Sequence, residues 1–100
     1  MKFRNVYTPV AAGQYEEIVA WYLEKSIVAS ENFIKEIEKK VESICEAPFR
    51  YRITFKHFRQ AALKKFPYHV IYSIDEKNKV IYIGAIFHTA RNPKKKYRNL

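Results

Sequence analysis

A chain of 100 residues with two Gly, four Pro and 16% aromatic content is one domain in size, neither fibrous nor disordered. Its single cysteine excludes an internal disulfide and a cysteine-built zinc cage, and no run approaches the roughly 18 apolar residues of a membrane span. The net charge of +9 is uneven: residues 1–49 hold six Lys/Arg against eight Glu, residues 50–100 hold thirteen against Asp75 and Glu76. An excess confined to one half points to a polyanion or an acidic protein as partner.

The N-terminus, MKFRNVYTP, lacks the apolar core of a leader peptide. With the lone thiol, this predicts a soluble protein of a reducing cytoplasm, one domain over residues 1–100. Lys2–Tyr7 reads as a short strand, with Phe3, Asn5 and Tyr7 alternating against Arg4 and Val6. Thr8-Pro9 is a helix start, because threonine caps free N–H groups and proline fits the first helical position. From Val10 to about Lys25, Ala11, Tyr15, Ile18, Val19 and Tyr22 recur at helical spacing, and Trp21 and Leu23 widen that stripe. A second helix, Ile27 to Glu46, carries Phe33, Ile34, Ile37, Val41, Ile44 and Cys45 on one face. Its outer face mixes Glu36, Lys39, Lys40 and Glu42 as solvated i,i+4 support. Cys45 on the apolar face is expected to be a buried, inert thiol.

Three strand patterns follow: Lys56–Phe66, Tyr68–Ile74 and Val80–His88. The order β-α-α-β-β-β predicts an α+β domain, a helical hairpin packed on one face of a small antiparallel sheet. Counting reversals of direction makes the first and last strands antiparallel. A four-residue loop at Asp75–Asn78 would pair Tyr72 with Ile81, Val70 with Ile83 and Tyr68 with Ala85. That register turns Tyr68, Val70, Tyr72, Ile74, Ile81, Ile83, Ala85 and Phe87 toward the helices. It leaves His69, Ile71, Ser73, Tyr82, Gly84, Ile86 and His88 on the other face, His69 opposite Gly84.

The strand-entry stretch LKKFPYHVIYSID and the strand ending FHTARNP, set in this element order, resemble the RelE/ParE superfamily of toxins from type II toxin–antitoxin modules. The resemblance spans essentially the whole chain. It implies a small basic toxin neutralised by a cognate acidic antitoxin. Some members cleave mRNA on the ribosome; others, ParE-like, poison DNA gyrase without nucleolytic chemistry. In mRNA-cleaving members an arginine often stands where this chain has His69. Basic residues on the preceding strand are matched by Arg59, Lys64 and Lys65, and a late arginine and tyrosine by Arg91 and Tyr97. The H-x-x-R-N-P ending is closer to the ParE-like side.

Cleavage through a 2′-hydroxyl needs a base, an acid and cations for the strained phosphate. Histidine as a residue type suits proton transfer near neutral pH, which makes His69 and His88 candidates; Arg59, Lys65 and Arg91 could hold phosphate, and Tyr97 could stack on a base. Lys94, Lys95 and Lys96 add general polyanion attraction. The function expected on this basis is a growth-inhibiting toxin acting by ribosome-associated mRNA cleavage across a basic sheet face. The alternatives are gyrase inhibition, or a degenerate toxin that only binds its antitoxin. The antitoxin is expected along a sheet edge or apolar groove. No metal or cofactor is expected: the three histidines lack ligand spacing and no Gly-rich phosphate loop exists.

Overall fold

A computed structural model describes residues 2–90 of the chain. Its elements are β1 (Arg4–Tyr7), α1 (Pro9–Lys25), α2 (Ile27–Glu46), a 3-10 turn (Pro48–Arg50), β2 (Ile53–Phe55), β3 (Phe58–Ala62), β4 (Tyr68–Asp75) and β5 (Val80–His88). The five strands form one sheet in the order β1-β5-β4-β3-β2.

Thr8 starts α1 as expected: its hydroxyl accepts the Ala11 N–H, and Pro9 fills the first turn. Ser26 is at once the C-cap of α1 and the N-cap of α2, its hydroxyl accepting the Ala29 N–H. A single-residue joint forces the helices into an antiparallel pair. The stripe Phe33, Ile37, Val41, Ile44 and Cys45 is buried against Val70, Tyr72, Ile81 and Ile83 of the sheet. Phe33 anchors this layer: its ring lies 5.3–6.1 Å from Tyr15, Tyr22, Phe66 and Tyr68, joining both helices to the β3–β4 connection. Trp21 and Leu23 do not widen the α1 stripe. They are 54% and 53% exposed, because the helix bears on the sheet through Ala11 and Ile18. Trp21 instead stands edge-on to Tyr22 with the Lys25 ammonium 5.2 Å from its ring.

β1 and β5 run parallel, Tyr7 opposite Ile83, not antiparallel as the count of reversals implied. The count lacked one turn. The segment read as one strand, Lys56–Phe66, begins inside a hairpin of β2 and β3. Its tight turn, Lys56-His57, contains no Gly, Asn or Pro; Lys56 takes a positive φ of 51°, which a lysine adopts only under constraint from its neighbours. The extra reversal brings β5 back along β1.

The β4–β5 register also differs. Ile74 faces Ile81 and Tyr72 faces Ile83, yet Ile71 faces Ala85, Val70 faces Ile86, His69 faces Phe87 and Tyr68 faces His88. Gly84 is therefore an extra residue in β5, a β-bulge, and every side chain beyond it changes face. Ala85 and Phe87, expected toward the helices, join Ile71 and Phe58 in a second apolar cluster on the outer face. Ile86, expected outside, is in the main core. His69 and Val70 keep their expected faces.

The bulge lies just past the end of β1, and the first turns of α1 satisfy it. The Thr8 hydroxyl donates to the Gly84 carbonyl at 3.3 Å, and the Gln14 side-chain carbonyl accepts the Ile86 N–H at 2.8 Å. At the other end of the hairpin, Asp75 accepts both the backbone and side-chain N–H of Asn78. Those bonds hold its carboxyl below the usual carboxylate range.

Candidate functional site

His69, Arg59, Lys64 and Lys65 fall on three distinct surfaces. His69 lies on the outer face of β4, paired across the sheet with Phe87 and Ala62. His88, displaced by the bulge, lies on the helix side opposite Tyr68, its ring edge-on to the phenol at 5.1 Å. Its Nδ1 accepts the Ala90 N–H at 3.0 Å, so the neutral ring carries its proton on Nε2. The two histidines thus occupy opposite faces and cannot act on one bond as an acid–base pair. His57 is exposed in the β2–β3 turn, its ring 4.3 Å from Phe58. Arg91, Lys94, Lys95, Lys96 and Tyr97 lie outside the described residues.

Arg59 pairs with Tyr72 and so points to the helix side. Its Nη1 donates to the Tyr51 carbonyl at 2.6 Å and the Phe49 carbonyl at 3.3 Å, and its guanidinium lies 5.2 Å from the Phe49 ring. Those bonds tie the segment after α2 to the sheet. Tyr72, fully buried, donates its hydroxyl to the Pro48 carbonyl at 2.6 Å. Burial raises its pKa far above that of a free phenol. Arg59 is the sole Lys or Arg in strands β3, β4 and β5. Among the described residues, the side chains flanking His69 on the outer face, Phe87 and Ala62, are apolar. The nearest strand cation on that side, Arg4 of β1, pairs with Val80 at the far end of β5, about 20 Å along the strand direction from His69.

Lys64 and Lys65 begin the β3–β4 connection, and both of their backbone N–H groups donate to the Glu36 carboxylate of α2. This clamp closes one side of a groove of about 550 Å³, which Lys35, Lys39, Lys40 and Ser43 of α2 line together with Lys64, Lys65 and Phe66. Next to it lies a cluster that sequence reasoning missed. Arg50 Nη2 donates to the Ser43 hydroxyl oxygen and, at 3.3 Å, to the Ser43 carbonyl. The Ser43 and Tyr51 hydroxyls are 2.9 Å apart. With Arg50 donating into the serine oxygen, the serine hydrogen is free to go to the phenol, which then accepts. Burial pushes the Tyr51 phenol up, but that bond and the charges of Lys40 and Arg50 outweigh it, and its pKa falls below the usual value. The sequence signal was the FRYR run after Pro48, too short to separate from a basic loop. Cys45 is buried, and burial pushes its thiol up despite a hydrogen bond from Asn5, as expected of an inert core cysteine.

Among the described residues no group of three His, Cys, Asp or Glu side chains could hold a metal ion, and no helix is long and apolar enough to cross a membrane.

Residues 6–93 match the family model of the ParE toxin of the type II toxin–antitoxin system parDE. The chain belongs to that family, and so to the RelE/ParE superfamily of type II toxins. Among solved structures it is similar to the chromosomal ParDE system of Pseudomonas aeruginosa, with TM-score 0.72 and 16% identity over 87% of this chain and 96% of that one. It is also similar to the isolated RelE toxin of Escherichia coli, with TM-score 0.64 and 11% identity over 96% of this chain and 94% of that one. The toxin–antitoxin complex RelBE2 of Mycobacterium tuberculosis aligns with TM-score 0.60 and 13% identity, covering 88% of this chain and 99% of that one. No curated protein sequence matches the chain.

Proposed function

We propose that this toxin acts as a ParE-like, non-nucleolytic inhibitor of DNA gyrase, held inactive by a cognate acidic antitoxin. The observation that carries the reading is that, among the described residues, strands β3, β4 and β5 place no Lys or Arg on their outer face. Metal-free cleavage at a 2′-hydroxyl needs two proton-transfer groups and phosphate-binding cations converging on one bond. Here Arg59 is turned inward onto two carbonyls, and the histidines are on opposite faces. His69 stands alone of the three on the outer face of the central strands. The extent of the ParE family match supports the same side of the superfamily. The antitoxin reading draws on two of the structural neighbours, a ParDE system and a RelBE2 complex, and on the basic excess of residues 50–100.

The test is a pair of assays on the purified chain: gyrase supercoiling, and mRNA integrity in a translating extract. Blocked supercoiling with intact mRNA is the expected result. Cleaved mRNA with unimpaired gyrase would overturn the proposal in favour of ribosome-associated cleavage.

A further inference from the structure

The groove between α2 and the β3–β4 connection has no part in the reading above. Five lysines line it: Lys35 and Lys39 along one edge of α2, Lys40 further round the helix with its ammonium 5.6 Å from the Tyr51 ring, and Lys64 and Lys65 opposite. Glu36 is the sole carboxylate in its lining, and its oxygens accept the backbone N–H groups of Lys64 and Lys65. Among the described residues none of the five lysines is in an ion pair; the one ion pair there joins Lys2 to Glu42. Clustering like charges without counter-charges works against the folded state. Here Glu36 fixes the backbone that carries two of them, while Lys35, Lys39, Lys64 and Lys65 remain exposed.

We infer that this groove is a docking site for the phosphate backbone of duplex DNA. Lys35 and Lys39 are four residues apart on a helix, a rise of about 6 Å, so their charges follow one line along the groove. Lys64 and Lys65 flank that line from the sheet side. Lysine recognises phosphate as a point charge, and the groove offers no ring on which a splayed base could stack. Phe66, its one aromatic lining residue, is held edge-on against Tyr22 and Phe33. Single strands and unpaired RNA are recognised chiefly by such stacking; a duplex backbone is not. An acidic amphipathic helix would need apolar anchors along the groove, and Phe66 alone supplies one. The inference makes no use of gyrase, so either reading can fail without the other.

The test is fluorescence anisotropy of the full chain with a labelled DNA duplex of mixed sequence, across salt from about 50 to about 200 mM. Four phosphate contacts give a slope near −0.9 per contact in log affinity against log salt, a loss of about 10²-fold over that range. Lys35→Gln/Lys39→Gln and Lys64→Gln/Lys65→Gln are each expected to flatten the slope by about two. Lys77→Gln/Lys79→Gln, on the β4–β5 loop, serves as the control and is expected to leave the slope near that of the parent. All six positions are exposed, and circular dichroism verifies the fold. Equal losses from groove and control pairs would mean diffuse attraction and would overturn the inference. Tighter, lysine-dependent binding of an RNA duplex, or displacement of DNA by poly-glutamate at equal charge, would reassign the groove to RNA or to an acidic protein.

Discussion

Replacing Gln14 with Leu tests how the bulge in β5 is tolerated. Gln14 supplies the acceptor for the Ile86 N–H at 2.8 Å, and Ile86 is 3% exposed, so water cannot replace it. Leucine keeps most of the side-chain volume and removes the acceptor, leaving a buried N–H unpaired at a cost of about 1–3 kcal/mol. In a domain of this size each kcal/mol lowers the melting temperature by about 4–8 °C. Gln14→Glu keeps a carboxylate acceptor and is expected to recover most of the loss at neutral pH. Two measurements check this: urea denaturation of all three proteins, and hydrogen exchange at the Ile86 amide, which should lose protection in the leucine variant. If Gln14→Leu matches the parent within about 0.5 kcal/mol and the amide stays protected, the bulge is not held by α1.

Tyr72→Phe removes the hydroxyl that the Pro48 carbonyl accepts inside the core; a loss of about 1–2 kcal/mol is expected by chemical denaturation. Burial, first among its causes, pushes the Tyr7 phenol up to about 12, while in the unfolded chain it ionises near 10. Its contribution is therefore full below about pH 10 and lost as pH rises toward 12; Tyr7→Phe should flatten stability against pH in that window. Asp75 behaves in the opposite sense: Asn78 holds its pKa down, so its contribution is present above the unfolded carboxylate value of about 3.9 and fades as pH falls below it. Asp75→Ala should remove that acid-side slope in denaturation series between about pH 2 and about pH 5. His69→Ala is expected to leave growth inhibition within a few-fold of the parent, whereas a catalytic histidine would cost about 10²-fold or more.

The helices were legible because their signals are long and redundant. Thr8-Pro9, the apolar stripe of α2 and Pro48 each mark a boundary, and the observed helix runs from Ile27 to Glu46 as read. β5 was equally legible, Val80 to His88, from a run of nine residues rich in β-branched and aromatic side chains. The failures share a cause. β2 has three residues and its turn is made by Lys56 and His57, so neither periodicity nor turn chemistry announces it. Gly84 was singled out as an open spot in a regular ladder, whereas it is an inserted residue. Nothing local tells the two apart, because the partners that stabilise the bulge, Thr8 and Gln14, are more than 70 positions away. The groove was invisible for the same reason. Lys39 and Lys40 look like ordinary solvated support until the chain returns 25 residues later and Glu36 draws Lys64 and Lys65 beside them.

The single residue inserted at Gly84 has consequences for chemistry as well as for packing. In a regular ladder His69 and His88 would share the outer face, and a proton-transfer pair would be available above the sheet. The bulge reverses the parity of β5 and sends His88 to Tyr68, while Phe87 takes its place beside His69. Among the described residues, His69 is then flanked on that face by the apolar Phe87 and Ala62. A group of cations gathers instead around α2 and the turn after it: Arg50 and Arg59 bind carbonyls, and Lys35, Lys39, Lys64 and Lys65 of the groove are exposed. The apolar side chains of the outer face, Ile71, Ala85 and Phe87, are themselves buried, so among the described residues the exposed cationic surface is the lysine groove beside α2. On the gyrase-inhibitor reading proposed above, Gly84, which carries no functional group, matters because its insertion moves His88 away from His69.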